Sequence, residues 1–133
     1  MRALVAAVAL AAFAPAAAEA RPVEVLRGEV RPVGHDARGV ATVVAQGGGR
    51  RVLSLRRFRL DPGPRVRVWL VPRSARSDGQ VPRDRVDLGA LKGSRGDQQY
   101  RIPRHVDLRR FSSVVLWCVP FTQTLARADL RPS

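Results

Sequence analysis

Cysteine is nearly missing from this chain of 133 residues; Cys118 stands alone. A lone thiol excludes an intrachain disulfide, so the apolar core must hold the fold. It also excludes the Cys-x-x-Cys-His attachment of haem. With only His35 and His105 beside it, a structural zinc site is not expected. Lysine is equally scarce, Lys92 being the only one, and aromatic residues make up 5% of the chain. No Ser-His-Asp order, phosphate loop or zinc-protease signature is present, which argues against a classical hydrolase. Asp87 and Asp107 each precede a leucine and read as turn caps rather than a catalytic pair. Beyond the first twenty residues, no stretch is long and apolar enough to span a bilayer.

That opening segment is itself informative. Met1-Arg2 is followed by an apolar stretch from Ala3 to Ala18, broken only by Pro15, and then by Ala18-Glu19-Ala20 before Arg21. This is the layout of a secretory signal peptide with cleavage after Ala20. The alternative, an uncleaved anchor, is disfavoured because the stretch is short and Ala-rich. The expected organisation is a signal peptide over 1–20 and one domain over 21–133, outside the cytoplasm in the periplasm or beyond the cell.

The formal charge is +13, carried almost wholly by arginine. An exported protein rarely meets nucleic acid, so anionic envelope components are the expected partners if the charge is functional. The arginines are scattered rather than bunched, which favours a merely solubilising role.

The mature sequence alternates between apolar and polar residues instead of repeating every three or four, and it is rich in valine. Strands are expected at 23–30, 39–46, 51–60, 65–71, 86–91, 100–103, 114–119 and 121–125. Gly47-Gly48-Gly49 and Asp61-Pro62-Gly63-Pro64 read as turns, and 72–85 and 92–98 as loops. Leu53 and Leu55 differ in parity from Phe58 and Leu60, which predicts a bulge near Arg56-Arg57. The apolar run 114–119 is expected at the centre of a sheet. Seven to eight short strands predict an all-β, single-domain antiparallel β-sandwich or a partly closed barrel.

The second half carries an ordered set of motifs. Asp87-Leu88-Gly89-Ala90-Leu91-Lys92-Gly93 is followed by Gly96-Asp97-Gln98-Gln99-Tyr100 and Pro103. Then come Val114-Val115-Leu116-Trp117-Cys118 and Phe121. In the first half, His35 and Gly39 fit an H-x-x-x-G pattern, Leu53-Ser54-Leu55 and Phe58 an L-x-L-x-x-F pattern, and Gly63-Pro64 precedes Val68-Trp69-Leu70. Together these resemble the DM-thirteen (electron transfer DM) domain family over nearly all of the mature chain. Two departures stand out: Arg65 replaces the acidic residue that usually follows Gly-Pro, and the last strand is altered from Phe121 to Ala128. The resemblance implies an all-β domain with an electron-transfer role centred on the cysteine, either as a free redox thiol or as a ligand to a group such as non-covalent haem. Its redox partner is unspecified.

Two site candidates follow. Cys118 shares a strand face with Val114 and Leu116, while Trp117 points the other way, so the thiol is expected inside. It is either an inert core residue or the redox centre. His35, next to Asp36, is the candidate second group, with a loop-closing histidine as the plainer reading. Asp97 to Tyr100 reads as side chains satisfying backbone groups near a sheet edge, with Tyr100 packed inside. The expected function is an exported redox or electron-transfer domain. The alternative is a non-catalytic binding or adhesion module that uses Arg-rich surfaces.

Overall fold

A computed structural model of the chain describes residues 2–12 and 21–133. Residues 2–12 adopt neither helix nor strand, and Leu4 and Leu10 are exposed. The cleavage site expected at Ala18-Glu19-Ala20 lies outside the described residues. No described helix is long and apolar enough to cross a membrane.

The domain is built from strands β1 (Val23–Glu29), β2 (Arg31–Pro32), β3 (Ala37–Gln46), β4 (Arg50–Leu60) and β5 (Val66–Val71). A 3-10 turn at Val81–Arg83 leads into β6 (Val86–Ala90), β7 (Gln98–Ile102), β8 (Ser113–Cys118), β9 (Gln123–Asp129) and β10 (Arg131–Pro132). Two five-stranded antiparallel sheets result, ordered β10-β1-β3-β4-β7 and β2-β9-β8-β5-β6. The sheets do not close into a barrel, so the fold is a β-sandwich. Eight of these strands are five residues or longer, and β8 lies at the middle of its sheet, with all six residues buried.

Alternation explains the core. Val66, Val68 and Leu70 of β5 and Val114, Leu116 and Cys118 of β8 face inward, where they meet Val43, Leu53 and Leu55 from the first sheet. Phe58 and Leu60 join the same core despite their different parity, because β4 carries the bulge. Arg38 pairs with Arg59 and Val40 with Arg56, which leaves Arg57 and Phe58 opposite Gly39 alone. Arg57 takes a positive φ of 47°, and Gly39 one of 132°. A Cβ on Gly39 would lie 2.9 Å from the Arg56 carbonyl oxygen and from Phe58 Cα, so only glycine fits.

The residues opposite in parity on β5 and β8 form a second apolar cluster on the outer face. Trp69, Val71, Val115 and Trp117 pack there with Ala75 and the fully buried Val81. The segment read as a plain loop over 72–85 is what covers them. Arg127 of β9, itself buried, donates to the carbonyls of Arg73 at 3.0 Å and Ala75 and pairs with Asp129 at 2.9 Å. Asp78 Oδ1 accepts the Thr124 N–H at 2.9 Å, which pins the same loop to β9.

The last long strand differs from expectation. It runs from Gln123 to Asp129, not from Phe121 to Leu125. Pro120 and a positive φ of 47° at Thr122 make Val119–Thr122 a tight turn, and Phe121 is exposed on it. Residues 108–110 form a hydrogen-bonded turn, in which the N–H groups of Arg110 and Phe111 donate to the Asp107 carbonyl.

Candidate functional site

Cys118 is the last residue of β8 and pairs across the sheet with Val66, just past the Asp61–Pro64 turn. Its side chain is completely buried, and its Sγ donates weakly to the Pro64 carbonyl oxygen at 3.4 Å. Thus the thiol is an inward-facing core group at the end of a strand, with a turn carbonyl as its polar partner.

His35 reaches the same turn from the other side. Its Nδ1 lies 3.0 Å from the Asp61 carbonyl oxygen, which can only accept, so Nδ1 carries the proton. The ring is oriented by this carbonyl and not by the carboxylate of Asp36, whose own carbonyl instead accepts the Asp61 N–H at 2.8 Å. The backbone N–H groups of Val33, Gly34 and His35 all converge on the Leu125 carbonyl at 3.0 to 3.1 Å. Gly63 sits between these groups, its missing side chain facing Leu125 and His35. One four-residue turn therefore carries a contact from each candidate, His35 at its first residue and Cys118 at its last. The two side chains make no hydrogen bond to each other. His105 is exposed in the loop after β7.

The Asp97–Tyr100 motif has structural work. Asp97 Oδ1 accepts the Arg57 N–H at 2.8 Å, so it caps the bulge opposite Gly39. Gln98 Nε2 donates to the Gly93 carbonyl at 2.9 Å, and the Tyr100 hydroxyl accepts the Lys92 N–H at 2.9 Å. Burial pushes the Tyr100 hydroxyl up from its usual range. Asp87 accepts the Gly89 N–H at 2.9 Å, and Asp107 accepts that of Arg109 at 2.9 Å, as turn caps do. Burial works to raise the Asp87 carboxyl, but Arg67 and the Gly89 N–H outweigh it and hold it below the usual range.

A haem ligated by Cys118 needs an open coordination face beside the sulfur. The buried thiol offers none, so Cys118 does not fit haem as it stands, whereas the Asp61 carbonyl holds only Nδ1–H of His35 and leaves its Nε2 lone pair free. Among the described residues, no three His, Cys, Asp or Glu side chains gather into a group that could hold a metal.

Sequence reasoning missed a feature on the opposite sheet face. Trp69 and Trp117 stack with ring centroids 4.9 Å apart, and the Arg85 guanidinium sits 4.4 Å over the Trp69 ring. The alternation of β5 and β8 placed each indole outward, but only the cross-strand register shows that they meet.

A two-sheet antiparallel sandwich whose one thiol closes its central strand defines the class. The chain matches the model of the Electron transfer DM13 family over residues 30–130, and it belongs to that family. Membership indicates an electron-transfer role in general. No curated protein and no solved structure matches the chain.

Proposed function

We propose that this is an exported electron-transfer domain whose redox group is Cys118 acting as a naked thiol. The observation that carries the reading is the position of that thiol. It ends the central strand of its sheet, bonded to the carbonyl of a Pro-Gly turn that also takes the His35 contact. Movement of that turn is what would admit a partner to the sulfur. With no second cysteine in the chain, the exchange chemistry is fixed. The Cys118 thiolate attacks a partner disulfide, a mixed disulfide forms, and the partner's other sulfur leaves as thiolate. Export rests on the signal-like layout of residues 1–20.

The test is an ultraviolet-visible spectrum of the mature domain, from a haem-replete host, before and after reduction, followed by thiol labelling. The expected result is no chromophore, slow labelling of the native thiol, and a mixed disulfide with an oxidised small-molecule thiol that Cys118→Ser abolishes. A Soret band lost in Cys118→Ser would overturn the naked-thiol reading in favour of haem ligation. A thiol that reacts only as fast as global unfolding allows would make it packing alone.

A second reading, a binding module for anionic envelope components, is favoured by one cleft. Arg50, Arg51, Arg101, Arg104 and Lys92 line it along β4 and β7, with no carboxylate among its walls.

A further inference from the structure

The outer face of the second sheet holds a pocket of about 620 Å³ beside the tryptophan stack. Trp69, Trp117 and Pro82 supply its apolar wall, and Arg65, Arg67 and Arg85 its charge. One of these charges is already answered, because Arg67 pairs with Asp87 at 2.9 Å. Arg65 and Arg85 have no carboxylate partner among the described residues. Arg85 instead lies over the Trp69 ring, held from behind by a bond to the Pro82 carbonyl. A guanidinium stacked on an indole keeps its second face for another flat group.

A further group is unsatisfied. Trp69 Nε1 is buried and makes no hydrogen bond. An indole N–H can only donate, and a buried donor left unpaired is destabilising. The site thus combines two unanswered guanidinium groups and an aromatic wall in a volume suited to a small molecule.

We infer that this pocket binds a planar aromatic anion, with its ring system laid against Arg85 and the indole wall and its anionic oxygen taken by Arg65. A neutral aromatic would leave the two charges unanswered, and a non-aromatic anion would leave the apolar wall wet. The inference does not depend on the Cys118 reading, because Cys118 faces the opposite side of its strand.

The chain's two tryptophans are both in this wall, so tryptophan fluorescence reports on the pocket alone. The probe is anthraquinone-2-sulfonate, compared with its uncharged hydroxymethyl analogue, titrated into the mature protein. Saturable one-to-one quenching is expected, weakened about tenfold for the uncharged analogue and for Arg85→Ala, and again for Arg65→Ala. Arg50→Ala and Arg101→Ala, on the far cleft, should leave it unchanged. Each variant is checked by near-ultraviolet circular dichroism of the tryptophan pair, so that a collapsed stack is not scored as lost binding. Quenching that is linear and unsaturable, equal for both probes, or insensitive to Arg85 and Arg65 would overturn the assignment.

Discussion

A single glycine shows how a residue can fix a site from a distance. Gly39 faces the two-residue bulge of β4, and Asp97, from a loop far along the chain, caps the N–H of Arg57 within that bulge. Gly39→Ala must push a methyl group against a carbonyl oxygen and a Cα at a φ that L-residues rarely adopt. A loss of about 1–3 kcal/mol is expected, read as a lower midpoint in urea unfolding. Asp97→Ala removes one cap on a backbone donor and should cost about 1 kcal/mol, with the fold retained. Cys118→Ser places a hydroxyl in an apolar core but keeps a donor for the Pro64 carbonyl, so about 1–2 kcal/mol of destabilisation is expected by the same measurement. The sequence showed the bulge through the parity change between Leu55 and Phe58. It did not show the cap on Arg57, because the carboxylate that supplies it lies on a different strand connection and nothing in local spacing links them.

At the scale of elements, strand alternation was readable and the covering of the outer face was not. The inward sets of β5 and β8 follow from period-two patterning, and so does the burial of Cys118. The outer set of the same strands is apolar too, and it is covered by the segment read as a loop. Yet that segment is mostly polar and anchors through Val81, Ala75 and carbonyl groups that composition does not advertise. The last strand was displaced because Phe121 invites burial, whereas Pro120 forces the turn that exposes it. The junction of β8, β9 and the covering loop also sets a pH dependence. Burial works to raise the Asp129 carboxyl, but the Ser113 hydroxyl, Arg127 and Arg76 outweigh it and hold it down at about 2. An unfolded Asp titrates near 3.9, so the folded pKa is the lower one. The resulting stability is complete above the unfolded value and is lost as pH falls from about 5 towards about 2, roughly 2 kcal/mol in all before allowance for partial exposure. Asp129→Asn should therefore destabilise at neutral pH. The gap between it and the wild type, from urea unfolding, should narrow as pH falls through this window. A gap that stays constant would mean that the carboxylate's charge is not what joins these elements.

For the whole molecule, the question is whether a charge of +13 acts through its sum or through one place. A sum attracts any polyanion weakly, and salt comparable to physiological strength, with a screening length of about 8 Å, removes most of that attraction. The cleft along β4 and β7 is a different proposition. Its cations sit together, no acidic residue lines it, and Arg51 is held rigidly by the carbonyls of Pro103, Arg104 and Val106. The arginines that line it, Arg50 and Arg51 on one strand and Arg101 and Arg104 on or beside the next, are brought together only by the antiparallel register that sets Arg51 beside Ile102. That is why they look scattered in the sequence. If the cleft is the binding surface, the combined Arg50→Ala, Arg101→Ala and Arg104→Ala variant should lose most of its co-sedimentation with vesicles rich in phosphatidylglycerol at low salt. Removing exposed arginines elsewhere, such as Arg83, Arg95 and Arg109, takes away the same charge and should change little. If both triple variants weaken binding equally, net charge alone governs the attraction. Arginine richness then serves solubility, and the electron-transfer reading stands without a surface partner of this kind.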